Sequence, residues 1–133
     1  MNRKLLIEVF SLIAFLLFSM NVVAVQPKAM ISKVEMGPIN HQMVNLGKGL
    51  FNSKCVACHT LDQNKIGPAL RNVTKDRKPE YIMNVIYNTA KMQKTDPVFK
   101  GLLVKFKNVP MPDPNLTETQ ARSILEYLRS VAK

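Results

Sequence analysis

The feature that most narrows what this chain can fold into is five residues long: Cys55-Val56-Ala57-Cys58-His59. The chain has no other cysteine, and its one other histidine is His41. On a helical turn, positions i, i+3 and i+4 share a face, so two thiols and an imidazole can point at one flat object. C-x-x-C-H is the attachment pattern of a c-type haem: each thiol forms a thioether to a vinyl group, and the imidazole reaches the iron. Two other uses of C-x-x-C compete with it. A thioredoxin-like dithiol calls for a βαβ setting and gains nothing from the adjoining histidine. A structural zinc site needs a fourth nitrogen or sulfur ligand, for which only His41 is available. His41 is also a poor partner for a bis-histidine haem, because a helix leading into Cys55 puts it about 20 Å of rise away, at a solvated helix end. The spacing points to one haem held through Cys55, Cys58 and His59.

The N-terminus reads as an export signal. Arg3 and Lys4 precede the apolar run from Val9 to Phe18, and small residues end in Val22-Val23-Ala24, so cleavage is expected after residue 24. The alternative is an uncleaved anchor. Val9 to Val25 is 17 mostly apolar residues, at the lower limit for a span and interrupted by Ser11, Ser19 and Asn21. Either way the domain is expected outside the cytoplasm: periplasmic or otherwise exported, or membrane-anchored and facing the periplasm. No later segment is apolar enough for long enough to span a bilayer. Residues 25–38 lack periodicity and contain Pro27, Gly37 and Pro38, which suggests a linker or loosely held leader before a domain at 39–133. Removing residues 1–24 leaves 109 residues, the size of one domain. Without a tryptophan its core is small, so a covalent haem would add missing apolar bulk and the apoprotein should fold poorly.

The remaining patterns are helical. Asn40 suits the cap of a first helix, with Ile39 and Val44 as its staple, running through Met43, Gly47, Leu50 and Phe51 and delivering Cys55. A second segment after Pro79 sets Tyr81, Ile82, Val85 and Ile86 at helical spacing. A third has Asp96 as cap and Pro97 at the first position, followed by Phe99, Leu102, Leu103 and Phe106. Both stripes read as core. Thr117-Glu118-Thr119-Gln120 matches a capping box for a last helix whose apolar face is Ala121, Ile124, Leu125, Leu128 and Ala132. No segment alternates like a strand, so the expected class is all-α, with about four helices wrapped around the cofactor.

In order and spacing, the chain from Asn40 to Lys133 resembles the small class I cytochromes c. The residues that carry the likeness are Gly47-x-x-Leu50-Phe51, C-x-x-C-H, Ile66-Gly67-Pro68-Ala69-Leu70, Pro110-Met111-Pro112, Leu116-Thr117 and Ile124-Leu125-Glu126-Tyr127-Leu128. The resemblance implies that the first and last helices cross, with Gly47 and Phe51 meeting Ile124 and Tyr127. Gly47 would then be a glycine because the partner helix comes too close for a side chain; the plainer alternative is that it merely weakens its helix by about 1 kcal/mol. The resemblance also makes the Pro68 carbonyl the acceptor for the second ring N–H of His59, a bond that fixes tautomer and raises ligand basicity. An ordinary turn at Gly67-Pro68 is the plainer alternative.

For the sixth iron ligand, Met111 stands apart from the other methionines. Prolines on both sides restrict its backbone and fix where its thioether points. A thioether stabilises ferrous iron and raises the potential, which suits a carrier. Met92, in the polar stretch from Lys91 to Asp96, is the second candidate. The chain departs from the family pattern between Gln93 and Asn108, where an added helix either shapes a partner surface or covers the haem edge. The aromatic donor to a haem propionate is also missing, and Arg71 and Asn72 are the substitutes that position suggests.

Charge narrows the partners. The chain carries 19 basic and 9 acidic residues; without residues 1–24 the balance is 17 against 8, a net of +9. Such a field steers the domain toward acidic docking faces and raises association rates about 10-fold to 1,000-fold. Lys48, Lys54, Lys65, Lys105 and Lys107 belong to segments expected to rim the haem, although any single lysine can simply be solvated. The expected function is that of a monomeric, monohaem c-type cytochrome shuttling single electrons between respiratory partners with acidic docking surfaces, such as membrane complexes and a terminal oxidase or reductase. An exported haem domain has little use for nucleic acid. Membrane contact would come through an uncleaved N-terminus. The alternatives are a haem enzyme or gas sensor with an open or labile sixth position, and a structural or assembly role.

Overall fold

The computed structural model describes residues 28–133; the expected signal segment and the first residues of the leader lie outside them. The described residues are all-α, with six helices: α1 (His41–Lys54), α2 (Val73–Asp76), α3 (Pro79–Tyr87), α4 (Thr89–Thr95), α5 (Pro97–Lys105) and α6 (Glu118–Val131). None is long and apolar enough to cross a membrane.

The four helices read from the sequence start where their caps put them. Asn40 Oδ1 accepts from Met43 N–H at 3.0 Å, and Asp96 Oδ1 accepts from Phe99 N–H at 2.7 Å. Pro79 and Pro97 open α3 and α5 at positions where a missing N–H costs nothing. Thr117 and Gln120 form the reciprocal capping box of α6. Two further helices, α2 and α4, are additions to that count. The first is a single turn with no buried residue, and the second buries only Thr89 and Met92 in an otherwise polar stretch, too little periodicity to signal a helix.

The crossing of α1 and α6 is the most extensive helix contact. A Cβ on Gly47 would sit 2.5 Å from the Ser123 carbonyl carbon and 3.0 Å from Ile124 N, so the expected close approach is real. Phe51 and Tyr127 meet beside it with ring centroids 5.3 Å apart and planes tilted by 54°. Ile82, Met83 and Ile86 of α3 complete the core with Leu116, Ala121, Ile124, Leu125 and Leu128. Burying each of the larger side chains contributes roughly 1.5–3 kcal/mol.

Residues 28–38 have no helix or strand, yet they are not loosely held, in contrast to the sequence expectation. The Asn84 side chain accepts from Ile31 N–H at 2.9 Å and donates to Ile31 C=O at 2.8 Å. One turn either side, Glu80 accepts from Val34 N–H and Asn88 donates to Ala29 C=O. A polar stripe at i, i+4, i+8 of α3 thus grips the leader backbone. From α6, Arg122 and Arg129 donate to the Glu35 and Gly37 carbonyls, and both are held by the buried Glu126 carboxylate.

At the other end of the fold, α5 closes with 6→1 and 5→2 bonds, Asn108 N–H to Leu103 C=O and Lys107 N–H to Val104 C=O. Lys107 and Asn108 take φ of 58° and 56° to make this turn, where glycine is usual, at a cost of about 1 kcal/mol for each L-residue. The reversal brings the irregular segment 109–117 back toward α3 and α6.

Candidate functional site

A cavity of about 210 Å³ lies between these elements, with Cys55, Cys58, His59, Gly67, Pro68 and Met111 all on its wall. The motif leaves α1 as a continuing turn: Cys55 N–H bonds Phe51 C=O, and Cys58 N–H and His59 N–H both bond Cys55 C=O at 3.0 and 2.8 Å. This single turn is what puts two thiols and an imidazole on one face.

The loop after His59 folds back to support the ring. Gly67 N–H donates to Cys58 C=O at 2.8 Å, and Leu70 and Arg71 N–H bond the Thr60 and Leu61 carbonyls. His59 Nδ1 lies 2.9 Å from the Pro68 carbonyl. A carbonyl can only accept, so Nδ1 carries the proton and Nε2 keeps its lone pair for a metal. Gly67 has a role that the sequence reading missed. A Cβ there would stand 2.9 Å from both ring nitrogens of His59, so the imidazole occupies the space of the absent side chain. A glycine next to a turn proline, eight residues after His59, was the available signal, but a turn explains the same pair.

The walls are apolar. Tyr81, Ile82, Val85 and Ile86 of α3 face the cavity, as do Phe99, Leu102 and Leu103 of α5 and Phe106 at its C-terminal cap. Both stripes were expected to be ordinary core; Ile82 and Ile86 of α3 do belong to the core, and both stripes also line the cavity. Among helices α5 packs only on α4, so the added segment covers the cavity rather than joining the main core.

Of the six methionines among the described residues, only Met111 lines the cavity. Met92, the second candidate, is 5% exposed and is absent from the cavity wall. His41 is exposed at the start of α1, as its position suggested. Arg71 and Asn72, the substitutes suggested for a propionate donor, are not on the cavity wall and bond elsewhere. Arg71 forks onto Asp62, at 2.7 Å for one arm, and donates to Val131 C=O, while Asn72 accepts from Lys133 N–H. The cations on the wall are Lys54 and Arg77. Arg77 lies over the Tyr81 ring at 5.7 Å and forms no ion pair with a described carboxylate. Of the other lysines expected around the rim, Lys65 is tied to Val56 C=O at 3.0 Å, whereas Lys48, Lys105 and Lys107 are exposed and off the wall.

The donor set discriminates among the uses of C-x-x-C. Burial, and then the neighbouring Cys58, push the Cys55 thiol up to about 11. A redox dithiol needs the opposite, a lowered thiol. Among the described residues no group of His, Cys, Asp or Glu is arranged to hold a metal ion on its own. Two thiols, an oriented imidazole lone pair, a glycine cradle and apolar walls do fit a flat iron macrocycle.

Comparison with known proteins agrees. Residues 44–132 match the family model "Cytochrome c". The chain is 32% identical over 80 residues to cytochrome c-552 of Hydrogenobacter thermophilus, covering 58% of this chain and 71% of that protein. It is 30% identical over 94 residues to cytochrome c-551 of Stutzerimonas stutzeri, covering 64% and 76%. The solved cytochrome c from Rhodothermus marinus superposes with a TM-score of 0.74 at 46% identity, over 80% of this chain and 97% of that one. An engineered form of it, solved with a carbene intermediate, superposes at 0.71, with 46% identity over 78% and 90%. With its family model matched over more than half its length, and its motif, cradle and cavity built for the group that family binds covalently, haem c, the chain belongs to the cytochrome c family.

Proposed function

We propose that the protein is a monohaem electron shuttle, with its haem attached through Cys55 and Cys58 and its iron held by His59 and Met111. The observation that carries this reading is that Met111, alone among the described methionines, shares a cavity wall with the C-x-x-C-H turn. Bound haem supplies a one-electron iron couple, and everything else is the work of the chain. The Pro68 carbonyl holds the His59 proton at Nδ1, which makes Nε2 the more basic donor. The α3 and α5 stripes keep water from the ring, which tunes the potential through local dielectric. Arg77 and Lys54 are the cations available to the propionates. With His59 and Met111 both holding the iron, the site would have no place for a substrate, and the bound group would supply only one-electron transfer.

Export to the periplasm, through a cleaved signal at residues 1–24, is part of the same proposal. The net basic charge favours partners with acidic docking faces, membrane complexes or a terminal oxidase or reductase, met as a monomer. Spectroscopy on the purified haem protein tests the ligation. The ferric form should show the near-infrared methionine-to-iron band, Met111→Leu should lose it, and the reduced wild-type protein should not take up carbon monoxide. Ready carbon monoxide binding by the wild-type protein would instead establish an open-site haem protein. The engineered Rhodothermus relative is solved with a carbene intermediate, so a closely similar fold can host a small ligand once altered.

A further inference from the structure

Met111 lies in a stretch with almost no backbone support. Pro110, Pro112 and Pro114 have no N–H to give, and between Val109 N–H and Thr117 C=O no residue of the segment joins a backbone–backbone hydrogen bond. Both backbone groups of Met111 are instead taken by one side chain. Gln93 Oε1 accepts from Met111 N–H at 3.0 Å, and Gln93 Nε2 donates to Met111 C=O at 2.8 Å. Among the described residues these are the only hydrogen bonds tying Pro110–Pro112 to the rest of the fold.

The clamp is itself anchored. Gln93 lies in α4 next to Met92, 5% exposed, and one turn beyond Thr89, which is fully buried with its hydroxyl on the Val85 and Ile86 carbonyls of α3. The buried Met92, discounted as a ligand, is thus part of what fixes α4 under the loop. A primary amide is the neutral side chain that offers a donor and an acceptor in one plane, as a two-point grip on a peptide requires.

We propose that Gln93 is the positioning residue for Met111: by gripping its backbone from both sides, it sets how readily the thioether leaves the iron and the sixth position opens. The proposal rests on Met111 being the sixth ligand. Detaching the thioether swings a proline-stiffened segment, and with Gln93 in place that motion must break two hydrogen bonds. Without them the detached population should rise about tenfold, equivalent to 1.4 kcal/mol.

Imidazole competes with a methionine ligand, so its affinity for the ferric haem protein reads the open fraction directly. Gln93→Leu should bind imidazole about tenfold more tightly than wild type and lose the methionine band at correspondingly lower imidazole. Thr95→Ala, which removes an α4 hydrogen bond to Lys91 C=O without touching the loop, should leave that affinity unchanged. Should Gln93→Leu fail to take up haem, the isosteric Gln93→Glu carries the test, since it keeps the acceptor and loses the donor. If wild type shows the methionine band and Met111→Leu binds imidazole far more tightly, but the Gln93 variant matches wild type, the clamp is overturned and the ligation stands. If Thr95→Ala tightens imidazole as much as the Gln93 variant, general loosening of α4 explains the effect and the clamp is again overturned. A wild-type protein without the methionine band overturns both.

Discussion

The α1–α6 crossing and the two irregular segments laid against the helices, the leader and the Met111 loop, are held by different forces. At the crossing, shape does the holding: Gly47 lets two backbones touch, and Phe51 packs on Tyr127. The leader and the Met111 segment bury little of themselves and have no ladder of backbone bonds. Side chains hold them instead: Gln93 alone grips Met111, while Asn84 grips both backbone groups of Ile31 with further bonds to the leader from Glu80, Asn88, Arg122 and Arg129. Packing falls off with distance and tolerates no added atom. An amide clamp is local, worth about 1 kcal/mol per bond, and can open alone. The difference divides the molecule into a rigid base that carries C-x-x-C-H and a cover that can yield.

The sharpest way to break this comparison is at Gly47. Ala at that position gains about 1 kcal/mol of helix propensity if the site is only a helix interior. If the crossing is shape-limited, the added Cβ strikes Ser123 backbone, and Gly47→Ala should destabilise the haem protein by about 3 kcal/mol, the upper end for overpacking. The two accounts differ in sign, so urea unfolding of the purified protein decides between them. A stabilised variant would mean the crossing has slack and is no more rigid than the cover.

Glu126 sits where the two regions meet. Burial works against its charge, and bonds from Arg122 and Arg129 more than offset this, holding the carboxyl below the usual carboxylate range. A lowered folded value means the stabilisation is complete above the unfolded value of about 4.3 and fades as pH falls through the folded one. Glu126→Gln should therefore cost about 2 kcal/mol at pH 7, from weakened charge-assisted bonds, and progressively less below about pH 4.3. Urea midpoints for both proteins at several pH values check this. A constant gap across that range would assign the loss to shape alone.

What the sequence made legible follows the same division. The caps at Asn40, Asp96 and Thr117 are signalled by neighbours close along the chain, whereas the crossing and the His59 to Pro68 contact came from the family resemblance rather than from spacing. The clamps join residues 18 and 53 positions apart, and an Asn or Gln that will grip a distant peptide looks like any solvated amide. The Arg71 to Asp62 pair is hidden for the same reason: Asp62 is an exposed carboxylate with no pattern around it. The apolar stripes of α3 and α5 were legible as stripes, but spacing alone does not say whether they face protein or cofactor.

The smallest expected effect is at the leader, and it tests whether the cover opens in pieces. The Asn84 amide is fully used: Oδ1 accepts from Ile31 N–H and Asn88 Nδ2, and Nδ2 donates to the Ile31 and Glu80 carbonyls. Asn84→Leu is nearly the same size and leaves these partners without it, at a global cost of about 1–2 kcal/mol. Its main result should be local. Amide hydrogen exchange should speed up at Ile31 and Val34 while Phe51 and Leu125 stay protected, because the leader opens below the global transition. The methionine band should not move, since the Met111 segment is held by its own clamp. Equal loss of protection at the crossing would show the leader and core to be one cooperative unit, and loss of the methionine band would show that the two clamps are coupled through α3 and α4.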